Sequence, residues 1–68
     1  MRAAKDNKKF SLQCREIRLF ISKNPGANDF AIKQNVGYKI DRHLSKMLGM
    51  GIIKIEGSYG GGWYVVPQ

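Results

Sequence analysis

Hydrophobic residues recur along the chain first at a helical period and then at a strand period. Phe10, Cys14, Ile17 and Ile21 follow one another at steps of four, three and four, which lines them along one helical stripe with Phe20 beside it. The spacing predicts a first helix from about Ser11 to Lys23, with Ser11 as N-cap and Lys23 at the negative end of the helix dipole. Asn24-Pro25-Gly26 ends it, because Pro25 has no N–H to donate and disfavours helical geometry at Asn24. A short second helix is expected with Asn28 as N-cap, Asp29 in its first turn, and Phe30 with Ala31 or Ile32 turned inward. It ends within Asn35-Val36-Gly37, where Gly37 allows a tight turn. A third helix from about Tyr38 to Met50 carries Ile40, Leu44, Met47 and Leu48 on one side, with Gly49 and Gly51 marking its end.

Beyond Gly51 the residues become β-branched and aromatic. Ile52, Ile53 and Ile55 form one run and Trp63, Tyr64, Val65 and Val66 another, separated by Gly57-Ser58-Tyr59-Gly60-Gly61-Gly62. This pattern predicts a hairpin with a glycine-rich tip, Ile53 and Ile55 sharing one face and Lys54 and Glu56 the other. Pro67 ends the second strand. The expected fold class is therefore α+β, three helices followed by a two-stranded hairpin.

Composition narrows the functional classes. Sixty-eight residues hold one domain with a modest core and little room for a buried cleft. One cysteine, Cys14, excludes an intramolecular disulfide, and with a single histidine, His43, the chain cannot assemble four Cys or His zinc ligands. Cys14 lies on the apolar stripe of the first helix and reads as a small core hydrophobe. No apolar run approaches a membrane span and no signal peptide is evident, so a cytoplasmic location is expected. The five acids form no close sequence pair and no nucleophile has a nearby base, so an enzyme is not expected. Neither is a cofactor: the glycines lack the Gly-Lys-Ser/Thr or Gly-x-Gly-x-x-Gly context of a nucleotide loop.

Twelve Lys or Arg against five Asp or Glu leave a net charge of +7. The charge is unevenly placed. Residues 1–9, read as a basic flexible arm ahead of a domain at 10–68, carry +3, while the first and third helices carry +2 each. The second helix and the hairpin are neutral. On a helical projection of 100° per residue from Ile40, Leu44 falls at about 40°, Met47 at about 340° and Leu48 at about 80°. Arg42, Lys46 and Lys39 fall at about 200°, 240° and 260° on the opposite side. Ser45 and Gly49 extend that outer face with small residues, and His43 borders the apolar side. Such a helix suits the major groove, Arg42 pairing bidentately with guanine and the lysines meeting phosphates or guanine.

Asn24-Pro25-Gly26, Gly37, Arg42-His43-Leu44, Met47-Leu48 and Gly51-Ile52-Ile53 together resemble the winged helix-turn-helix domains of the MarR and ArsR repressor families, over Ile17 to Val66. The resemblance implies a small stand-alone DNA-binding regulator, of the phage or plasmid type, acting on transcription or replication. It implies that the third helix reads double-stranded DNA while the wing and N-terminal arm touch the backbone. The expected contacts are Lys39, Arg42, His43, Ser45 and Lys46 from the helix, Ser58 and Tyr59 from the wing, and Lys8 and Lys9 from the arm. No long dimerisation helix is present, so pairing on DNA is expected to be weak, DNA-induced or absent. A different class of function is a protein-interaction winged helix that docks through its uncharged, glycine-rich wing on a partner such as a polymerase, with Tyr59 as the key residue. RNA is a third partner class, since the charge term does not distinguish the sugar.

Overall fold

The computed structural model describes the backbone of residues 2–57 and 61–67, and the side chains of 8–57 and 61–67. It contains three helices and a two-stranded antiparallel sheet: α1 (Arg2–Lys23), α2 (Asp29–Val36), α3 (Asp41–Gly49), β1 (Ile53–Glu56) and β2 (Gly62–Val65). The fold is α+β, in the expected order of elements. No helix among the described residues is long and apolar enough to cross a membrane.

The first helix starts earlier than its hydrophobic stripe suggests. It begins at Arg2, so the backbone of residues 2–9 is helical in place of a flexible arm, and Ser11 lies inside the helix rather than at its N-cap. The physical reason is local: residues 2–9 contain no Gly or Pro, and Ala3, Ala4, Lys5, Lys8 and Lys9 are strong helix formers. After α1, the amide of Asn24 bonds the Phe20 carbonyl at 2.9 Å, and the Asn24 side chain donates to the same oxygen at 3.0 Å. Both bonds satisfy a carbonyl that the helix leaves without a partner.

The second helix has the expected ends. Asn28 is extended and its side chain accepts from the Ala31 amide at 2.8 Å, while Gly37 sits in the left-handed region at φ 81° with its amide on the Lys33 carbonyl. A side chain other than Gly would be strained there. The third helix is shorter than expected. Tyr38 and Lys39 lie ahead of it, and Ile40 takes the N-cap position with no side-chain cap.

One core joins all five elements: Ile17 and Ile21 from α1, Ile32 from α2, Ile40, Leu44 and Met47 from the α3 region, Ile53 from β1 and Trp63 from β2. Burial of each such side chain is worth about 1.5–3 kcal/mol, which makes this cluster the main stabilising feature of a small chain. Cys14 packs against it, half-buried. Two residues expected inward, Phe30 and Leu48, are corrected, and Ile55, on the face of Ile53, is exposed. Phe30 is 68% exposed, Ile55 48% and Leu48 44%. Phe30 lies two residues from Ile32, the residue that α2 buries, and so about 200° around the helix from it; Leu48 sits on the shoulder of the α3 stripe; and Ile55 lies farther along β1 than Ile53, toward the hairpin tip.

The hairpin pairs Ile53 with Val65, Lys54 with Tyr64, Ile55 with Trp63 and Glu56 with Gly62. Lys54 and Glu56 share a face, as alternation requires, and form an ion pair at 2.8 Å. The other edge of β2 is also occupied. Trp63 donates its amide to the Ala27 carbonyl at 2.9 Å and accepts from the Gly26 amide at 2.9 Å. The chain after Pro25 thus adds a one-residue bridge to β2, which ties the α1–α2 turn to the hairpin. Gly62 is required at this crossing because a Cβ there would collide with the Gly26 backbone.

Candidate nucleic-acid interface

Residues on α3 separate into a buried and an exposed face. His43, Leu44 and Met47 face the core, whereas Arg42, Ser45, Lys46 and Gly49 are exposed. Arg42, Ser45 and Lys46 occur at spacings of three and one, so one outward face brings the three together. Lys39 is also exposed, but it precedes the helix and does not share its face. Asp41 occupies the first turn, where a carboxylate complements the helix dipole.

Across from this face lies the N-terminal half of α1. Lys9, Phe10 and Gln13 form one wall of an open crevice whose other wall is Arg42, Ser45 and Lys46. The Arg42 guanidinium lies over the Phe10 ring, 5.6 Å from its centroid, within range of a cation–π attraction. Lys8 is exposed beside Lys9 on α1. Two cations of the expected arm therefore belong to the same helix that walls α3, although they stand on helical rather than flexible backbone.

His43 corrects the sequence reading. It is only 7% exposed and does not reach the outer face as a phosphate contact would. Its ring stacks on Phe10 at 4.5 Å between centroids and an interplanar angle of 20°, and Tyr38 covers it at 5.6 Å. The Nε2–H donates to Gln13 Oε1 at 2.9 Å, and Nδ1 is buried without a hydrogen-bond partner among the described residues. Protonation would place a second N–H where no acceptor waits. Burial, reinforced by the Arg42 charge, pushes the His43 pKa down. His43 is thus a neutral clamp between α1 and α3.

Tyr38 completes the clamp: its hydroxyl donates to Glu16 Oε1 at 2.8 Å. Burial, then the bond to Glu16 and its charge, push the Tyr38 pKa well up, so the hydroxyl remains a donor at neutral pH. Tyr38 and Trp63 are packing aromatics. The Trp63 indole N–H donates to Asp29 Oδ1 at 2.5 Å, joining the hairpin to the first turn of α2.

A second crevice adjoins the first at the α1–α3 junction. Cys14, Arg15 and Arg18 of α1 face Lys46, Met47 and Met50, and the two crevices have Phe10 and Lys46 in common. Burial raises the Cys14 pKa, partly offset by the Lys46 charge, so the thiol is protonated at neutral pH. Sequence reasoning did not single out Arg15 and Arg18. Their three-residue spacing on the border of the α1 stripe was the available signal.

Ser58 and Tyr59, the expected contacts at the hairpin tip, lie outside the described residues. Among the described residues no group of three or more His, Cys, Asp or Glu could hold a metal ion. Comparison with family models, with curated proteins and with solved structures gives no match for this chain.

Proposed function

We propose that this chain is a small sequence-specific DNA-binding protein of the winged helix-turn-helix type, a regulator of transcription or replication. The observation that carries the reading is the exposed α3 face holding Arg42, Ser45 and Lys46, opposed to a fully anchored inner face and flanked by Lys9 across an open crevice. A recognition helix needs both properties, since base readout demands reach on one side and rigid positioning on the other. The order of elements supports the same architecture. Two helices joined through the left-handed Gly37 precede a hairpin that is locked to the α1–α2 turn.

In this reading α3 enters the major groove. Arg42 pairs bidentately with guanine, Ser45 allows close approach, and Lys46 meets guanine or phosphate. Lys8, Lys9 and Lys39 add phosphate contacts, and the hairpin tip touches the backbone. One copy covers a single half-site, so a weak or DNA-induced homodimer would read two half-sites about 34 Å apart.

The test is direct. Binding is measured by fluorescence anisotropy on duplexes enriched from a randomised pool, for the parent and for the Arg42→Ala, Lys46→Ala protein. Loss of the bidentate pair alone is worth about 1–3 kcal/mol, so affinity should fall by at least about fivefold while far-UV circular dichroism is retained. Unchanged affinity in a folded double variant rules the α3 interface out.

A further inference from the structure

We infer that α1, through Arg15 and Arg18, forms a second phosphate-binding surface continuous with α3, so that a nucleic-acid strand runs along the α1–α3 junction. The inference rests on the nucleic-acid reading above and deepens it, because Arg15 and Arg18 stand outside the contacts which that reading uses.

Three observations carry it. First, both arginines wall the crevice that also contains Lys46, and among the described residues no acid lines that crevice. Second, the crevice meets the one lined by Lys9 and Arg42, with Lys46 lining both. Among the described residues, five cations therefore border two adjoining crevices and one acid, Asp41, lines them. Third, Lys9, Arg15, Arg18, Arg42 and Lys46 have no ion pair among the described residues, where the Lys54–Glu56 pair sits on the hairpin. Unpaired cations on rigid helices keep their charge available to an external anion and lose little order on binding it.

The dimensions suit a polyanion better than a single ion. Lys9 and Arg18 stand about 13 Å apart along the α1 axis and about 180° apart around it, so a strand that meets both crosses over Phe10 and Lys46, which line both crevices. The hairpin, neutral over its described strands, leaves the backbone-contacting share of the charge to α1. Phosphates carry no sequence information, so Arg15 and Arg18 contribute affinity and register rather than base choice.

Salt dependence separates this from the reading beneath it. Dissociation constants for one enriched duplex are measured between 50 and 300 mM NaCl for the parent, for Arg15→Gln, Arg18→Gln, and for Arg42→Ala, Lys46→Ala. Removing two phosphate contacts should reduce the magnitude of the slope of log affinity against log salt by about 1.8 and leave discrimination between enriched and scrambled duplexes intact. The Arg15→Lys, Arg18→Lys protein should keep the parent slope, and so should Lys54→Gln, which removes a charge on the hairpin. If Arg15→Gln, Arg18→Gln keeps the parent slope while Arg42→Ala, Lys46→Ala loses affinity, the α1 surface is refuted and the α3 reading stands. If neither pair alters binding, the nucleic-acid reading itself fails. Displacement of the duplex by polyglutamate at equal charge concentration, as effective as displacement by unlabelled duplex, would make the surface a site for acidic protein and overturn the inference.

Discussion

At the scale of single residues, His43 shows how a polar side chain in a helix with an exposed basic face can serve packing. Its ring fills the space between Phe10 and Tyr38, and its one hydrogen bond reaches Gln13 on the neighbouring helix. Burial, then the Arg42 charge, make the folded protein hold His43 neutral, and Nδ1 has no partner among the described residues. In the unfolded chain the same imidazole takes up a proton near its ordinary pKa of 6.5. The unfolded state therefore binds more protons than the folded state once the pH drops below that value, and stability falls with it. The melting temperature should be level above pH 7.5 and decline as the pH is lowered from 6.5 toward 5.5. Because His43 is the sole histidine, the His43→Phe protein, which keeps an aromatic ring in the stack, should show a flat profile over that interval. A parallel decline in both proteins, followed by circular dichroism, would contradict the assignment.

At the scale of elements, the hairpin is held less by its own pairing than by what it touches. A two-stranded ribbon of four-residue strands is marginal alone in water. Here β2 is bridged to Ala27, and the Trp63 side chain is both buried in the core and bonded to Asp29 at the start of α2. Replacing Asp29 by Ala leaves a half-buried indole N–H without its acceptor and should cost about 1–3 kcal/mol in urea unfolding followed by Trp63 fluorescence. Asp29→Asn keeps an acceptor oxygen in place and should lose less. Equal stability of all three proteins would mean that the bond contributes nothing. The extension of α1 to Arg2 belongs to this scale too: residues 2–9, with strong helix formers and no Gly or Pro, carry the helix past the end of its apolar stripe.

For the whole molecule, α1 is the longest element, 22 residues, and presents basic residues beside α3. Five of the twelve cations border the α1–α3 crevices, and among the described residues the one ion pair lies on the hairpin. With a net charge of +7 the folded chain repels itself, more strongly at low ionic strength, where the Debye length exceeds about 10 Å. The melting temperature should therefore rise between 20 and 300 mM NaCl, and a fall would show that attractive pairs dominate. The same repulsion is what a polyanion relieves, so bound duplex should raise the melting temperature most at low salt.

Much of this was legible in the residues themselves, for identifiable reasons. The α1 stripe, the Pro25 stop, the Asn28 and Gly37 caps, the Ile40–Leu44–Met47 face and the change to a period of two after Gly51 are local features, set by backbone geometry and by the repeat of apolar side chains. So is the exposed trio of Arg42, Ser45 and Lys46, because opposite faces of one helix are decided within that helix. Tertiary contacts alone decided the rest. A helical projection puts His43 at the border of the apolar side, and only the approach of Phe10, Gln13 and Tyr38 from other segments encloses it. Nothing local reveals that Gly26 and Gly62 must touch, that Trp63 bonds to Asp29, or that Arg15 and Arg18 stand beside Lys46. These pairs lie between 28 and 36 residues apart along the chain, and each depends on how whole elements pack, which the period of any one element does not contain.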